Sequence, residues 1–124
     1  MQVQPESVYY GEGGWLDVDF GITGWGSRPT PQFYFETMIA CDAVWNEAHY
    51  CNPEVDALID EAGSTLDEDV RTEAYADLQR ILASEGPYVI PYFFPQFAAL
   101  SDAYDGLALK AFPGRTDLAA LQPR

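Results

Sequence analysis

The chain has 124 residues and a net charge of −14, from 20 acidic against 6 basic side chains. Nearly half of it (48%) is apolar, so one domain of this length can bury about two thirds of its unfolded surface. Charge of this sign and size repels nucleic acid and anionic lipid, which argues against both as partners. No apolar run approaches the roughly 18 residues that cross a bilayer.

Self-repulsion on this scale is screened at high salt. The composition suits a salt-rich milieu and an ordinary acidic secreted protein alike. The N-terminus carries neither the basic nor the apolar region of a signal peptide. Taken alone, that reads as a cytoplasmic chain, unless the sequence is part of a longer one.

In chain order, Met1–Gln4 reads as the remnant of a strand, and Tyr9 and Tyr10 precede the glycine-rich turn 11–14. Leu16, Val18, Phe20 and Ile22 then alternate with smaller or polar residues, which predicts a strand with one buried face. The stretch 24–31, with two glycines and two prolines, predicts a loop. Thr30 and Pro31 are a suitable cap and first residue for a short aromatic helix over 32–40.

A second irregular loop spans Cys41 to Cys51. Asn52, Pro53 and Glu54 repeat the capping logic, and Val55, Leu58, Ile59 and Ala62 fall on one helical face, with Gly63 as the stop. Asp67 opens the next helix with acids at the positive end of its dipole. Its apolar stripe is Val70, Ala74, Leu78, Ile81 and Leu82, and Gly86-Pro87 ends it. The run 88–94 is rich in β-formers, although Pro91 confines it to an edge or a strand's end. Weak strand signals recur at 107–109. The order of elements predicts an α/β fold.

Catalytic chemistry finds few residues to carry it. His49 is the lone histidine, and no nucleophile elbow, phosphate loop or paired-histidine metal motif occurs. Asp56, Asp60 and Glu61 read as the solvated side of a helix. Cys41 and Cys51, with His49 between them, make a poor zinc site. A disulfide suits them better than free thiols; it would add roughly 3 kcal/mol and imply an oxidising compartment. The reading is a protein that is not an enzyme and holds no cofactor or metal.

What remains is a pair of loops, Trp25-Gly26-Ser27-Arg28 and Asp42-Ala43-Val44-Trp45-Asn46-Glu47, that combine flat aromatic surface with convergent polar groups. That mixture suits a site gripping a small polar molecule. Trp25, Arg28, Asp42, Trp45, Asn46 and Glu47 are the candidate ligand-binding residues. The plainer alternative is that the tryptophans anchor a core and the polar groups satisfy loop backbone.

The string Asn52-Pro53-Glu54-Val55-Asp56-Ala57-Leu58-Ile59-Asp60-Glu61-Ala62 resembles a helix near the C-terminus of the family 5 extracellular solute-binding proteins. These are the peptide, dipeptide and nickel receptors of ABC importers. The helix from Asp69 to Leu82 is similar to the one that follows in that family, as is the proline-containing apolar stretch 86–91. Trp25 to Pro31 and Trp45-Asn46-Glu47 are similar to strings in one branch of it.

The resemblance covers about residues 15–97. It implies the C-terminal part of a two-lobed, class II periplasmic-binding-protein-like fold, present as a single partial domain. Within it, 1–31 would be a strand and hinge-crossing loop, 32–86 a helical and disulfide-loop region, and 87–124 a C-terminal strand and tail. It further implies an extracytoplasmic protein that captures a peptide-like solute and passes it to an ABC permease, with no membrane insertion by this segment. Cys41 and Cys51 sit where some dipeptide receptors of the family carry a disulfide.

In peptide-binding members an aspartate in the loop after the strand anchors the ligand's amino terminus. Here Gly26, Ser27, Arg28 and Pro29 stand instead, which leaves Asp42 or Glu47 as the nearest substitute and makes Arg28 a partner for a ligand carboxylate. The alternative function is a free-standing acidic α/β module that binds another protein through the aromatic loops.

Overall fold

The structure, a computed structural model, describes residues 3–110 and 117–124. The chain divides into two units, Met1–Trp25 with Thr30–Val89, and Gly26–Pro29 with Ile90–Arg124.

The first unit opens with a single helical turn, α1 (Glu6–Tyr9). The strand expected from Leu16 to Ile22 does not form, and Phe20 and Ile22 stand 87% and 77% exposed. A strand persists only when a neighbour accepts its backbone hydrogen bonds; no such neighbour lies beside it among the described residues. Periodicity alone is insufficient. Of the remnant expected over Met1–Gln4, the first two residues lie outside the described ones, and Val3 and Gln4 are irregular.

The short helix arrives in two registers, α2 (Gln32–Tyr34) and a π-helical turn over Phe35–Ile39. Pro31 takes the cap position with no side-chain bond, so Thr30 does not cap. The wider turn joins the Ala40 N–H to the Phe35 carbonyl at 2.9 Å. The Thr37 and Met38 carbonyls, in the last turn and so without intrahelical partners, accept from Trp45 N and Tyr88 Oη.

Both long helices begin where the caps place them. Asn52 Oδ1 accepts the Glu54 N–H at 2.9 Å, and α3 runs over Pro53–Ser64. Asp67 Oδ1 accepts the Asp69 and Val70 N–H groups, and α4 runs over Glu68–Glu85. A three-residue link closes them into a helical hairpin whose seam buries Val55, Ile59, Ala62, Ala74 and Leu78. Phe35 and Ile39 of the π turn complete the core, and Tyr75 stacks on Phe35 with centroids 5.7 Å apart. Val70 is 37% exposed, so the expected stripe of α4 is buried only from Ala74 onward.

Gly63 does not end α3, which continues through Ser64. Its lack of a side chain serves another purpose. A Cβ there would stand 2.5 Å from Gln32 Nε2. Gln32 reaches over this gap to donate to the Ile59 carbonyl at 3.0 Å and to Glu36 Oε1 at 2.8 Å. Its Oε1 accepts from the Tyr75 hydroxyl at 3.1 Å. One amide therefore ties α2 to both long helices.

In the second unit, β1 (Tyr104–Asp105) pairs antiparallel with β2 (Gln122–Pro123), Tyr104 opposite Pro123. The strand signals at 107–109 are thus displaced a few residues from the observed one. A 3-10 turn, Leu118–Ala120, leads into β2 from the Asp117 cap. Residues 88–94 form no strand, and 90–100 are irregular and exposed throughout, Phe93 at 86% and Phe97 at 88%. The described residues are mainly helical with little sheet, and agree only loosely with an α/β expectation.

Gly63→Ala gains about 1 kcal/mol of helix propensity but displaces Gln32 from bonds that contribute about 1 kcal/mol each. The expected outcome is no gain, or a loss, in the native background and a gain of about 1 kcal/mol in a Gln32→Ala background. Urea unfolding of the four proteins measures it; equal effects in both backgrounds contradict the close approach.

Candidate functional site

The loop from Cys41 to Cys51 rests on the helical hairpin and on the π turn. The Cys41 N–H donates to Asp56 Oδ1 at 3.0 Å, and the Trp45 N–H to the Thr37 carbonyl at 2.9 Å. A disulfide joins Cys41 to Cys51 across a separation of 10 residues. At the far end, Glu85 Oε1 of α4 accepts from Asn52 Nδ2 at 2.7 Å and the Tyr50 hydroxyl at 3.2 Å. Burial, foremost, and the Glu85 carboxylate raise the Tyr50 pKa, against a lowering from Asn52.

Against this loop packs an aromatic cluster. Trp25 meets Trp45 edge to face at 5.8 Å and Tyr34 at 5.9 Å, and Phe33 meets Trp45 at 6.3 Å. Such pairs contribute about 0.5–1.5 kcal/mol each beyond the area they bury. The pair of tryptophans is not sealed: Trp25 is half-buried and Trp45 is 36% exposed.

Glu47 sits at the edge of the cluster. Its Oε1 accepts from Trp25 Nε1 at 3.4 Å, and its Oε2 from the Thr23 hydroxyl. Thr23 has a single hydroxyl proton, so the Tyr9 hydroxyl, 3.1 Å away, must donate to Thr23 in turn. The chain Tyr9–Thr23–Glu47–Trp25 fixes the carboxylate and the indole in one arrangement.

Of the six candidate residues, the structure brings three together: Trp25, Trp45 and Glu47. Asn46 is 9% exposed, and its amide bonds the loop's own backbone. Asp42 is exposed and lines a separate open hollow of about 360 Å³ with Asn46, Leu16, Asp17, Val44 and His49. Arg28 belongs to the second unit, where its guanidinium donates to the carbonyls of Gly26 and Ser27.

Tyr9 and Thr23 went unread as site residues because their signal is purely spatial. Asp56, expected as solvated charge, instead holds the start of the loop. No group of three or more metal-ligating side chains converges among the described residues. No described helix is long and apolar enough to cross a membrane.

Over 85% of the chain the sequence is 31% identical to Protein XP55 of Streptomyces lividans. Over 58% it is 36% identical to the peptide transport periplasmic protein SapA of Salmonella typhimurium, and over 56% it is 35% identical to di/tripeptide-binding protein 1 of Pseudomonas aeruginosa. The matched stretches cover 20%, 14% and 13% of those proteins, so the chain spans about a fifth of their length or less. No family model matches, and no solved structure matches. The chain thus shares part of its sequence with periplasmic and di/tripeptide-binding proteins of peptide transport.

Tyr88 supports the π turn from below, its hydroxyl donating to the Met38 carbonyl at 3.1 Å. Burial, and then the nearby Glu47 charge, push its pKa from 10.0 to about 12. A folded pKa above the unfolded one means that the stabilisation is complete below pH 10.0 and is lost as pH rises through about 12. Chemical denaturation across that window should show falling stability in the native protein. In Tyr88→Phe the fall should be shallower, with Tyr50 supplying the remainder; an unchanged slope contradicts the assignment.

Proposed function

We propose that this chain is the C-terminal part of a family 5-type extracellular solute-binding protein, a non-enzymatic receptor that captures a peptide-like solute for an ABC permease. The observation that carries the reading is the partial identity to proteins named for peptide transport and di/tripeptide binding. The disulfide suits an oxidising, extracytoplasmic compartment.

Trp25, Trp45 and Glu47 form the part of the solute-facing surface contributed by the first unit. Flat, half-exposed indoles offer area to a peptide's apolar groups, and a fixed carboxylate offers a partner for its positive ones. Asp42, exposed on the same loop, borders that surface in the whole protein. Exposed apolar residues such as Phe20, Ile22, Phe93 and Phe97 would be covered by the remainder of a protein of the relatives' length, of which the matched 109 residues are 20%. The segment is then one partial domain of a two-lobed receptor, and solute binding biases the equilibrium between its open and closed forms.

Calorimetry with short peptides tests the reading. A protein of the relatives' length that carries this segment should bind them, and Trp45→Ala or Glu47→Gln should weaken binding by about tenfold or more, the loss of at least one good contact. The segment alone should bind at about millimolar strength or not at all. Micromolar binding by the segment alone, or a full-length protein indifferent to both substitutions, overturns the proposal.

A further inference from the structure

The loop between the cysteines is closed twice. The disulfide joins its ends covalently. Asn46, midway along it, ties the residues immediately ahead of the same two cysteines: its Nδ2 donates to the Ala40 carbonyl at 3.1 Å and to the Tyr50 carbonyl at 2.6 Å. Its Oδ1 accepts the Tyr50 N–H at 3.0 Å. His49 adopts a left-handed backbone, φ 49°, which turns the chain so that Tyr50 presents both its N–H and its carbonyl to a single side chain.

The chemistry of the clamp suits asparagine alone. Two donors and an acceptor are needed at one short reach. An aspartate would set a carboxylate against two carbonyl oxygens, and a glutamine would force an extra methylene into a site only 9% exposed. The residues on either side of Asn46 are Trp45 and Glu47, which make the contacts to Trp25.

We propose that Asn46 is a positioning residue that holds Trp45 and Glu47 against Trp25, and that it does so whether or not the Cys41–Cys51 bond is intact. The clamp's part in solute binding, though not the clamp itself, rests on the reading of that face as solute-facing. Its consequence is that a dithiol reductant, which supplies two electrons and two protons, opens the disulfide to two thiols and becomes a disulfide itself without dismantling the face.

The test uses the 124-residue chain, oxidised and dithiol-reduced, with a Cys41→Ser/Cys51→Ser variant as a reagent-free control. Near-ultraviolet circular dichroism reads the Trp25–Trp45 couplet, and far-ultraviolet melting reads the helices. The native chain should keep the couplet on reduction, as should the double-serine variant. Asn46→Ala and Asn46→Asp, whose loops remain closed by the disulfide, should lose it at unchanged helical content.

Loss of the couplet on reduction with Asn46 present overturns the proposal. So does its survival in both Asn46 variants, or its loss only in step with helix melting. No peptide enters the measurement, so its failure leaves the peptide reading standing, and failure of peptide binding leaves the clamp standing.

Discussion

The seam between α3 and α4 is the contact on which the first unit depends. Val55 and Leu78 are fully buried there, and truncating either side chain would open a cavity costing about 2–5 kcal/mol. Phe35 and Ile39 seat the π turn on this seam. That turn in turn supplies the carbonyls that receive Trp45 N and the Tyr88 hydroxyl. Removing the seam would leave the aromatic loop with nothing rigid to stand on, because the disulfide ties the loop only to itself.

The residues that carry the sequence resemblance mostly build this platform. Asn52 caps α3, Asp56 receives the Cys41 N–H, Val55, Ile59 and Ala62 fill the seam, and Tyr75 stacks on Phe35 while bonding Gln32. None of these platform residues touches Trp25, Trp45 or Glu47 through a contact described above, although those three lie in two further strings of the resemblance. A shared platform of this kind constrains where a loop sits and leaves open what it binds, which is why likeness in these strings speaks to protein class before it speaks to ligand.

Local chemistry was the legible part of the sequence. The caps at Asn52 and Asp67 and the buried face of α3 are short-range facts, decided within a turn of helix. The strand over Leu16–Ile22 and the β-rich run after Tyr88 depend on partners distant in sequence, and alternation cannot supply those. Gly63 looked like a stop because a glycine near a helix end usually is one; its role in admitting Gln32 exists only once α2 lies across α3. At the site, aromatic and acidic content singled out Trp25, Trp45 and Glu47 together with Asn46, Asp42 and Arg28. Composition does not reveal side-chain direction, so Asn46, turned inward between two outward neighbours, looked no different from them.

Residue-resolved amide hydrogen exchange tests most directly whether the helical seam supports the aromatic loop. The amides of Ile59 and Leu78 should exchange slowest. Those of Cys41, Trp45 and Tyr50, held by Asp56, Thr37 and Asn46, should be protected in the same cooperative unit, while residues 90–100 exchange near the unprotected rate. If the three loop amides exchange as fast as residues 90–100 while the seam stays protected, the loop does not stand on the seam.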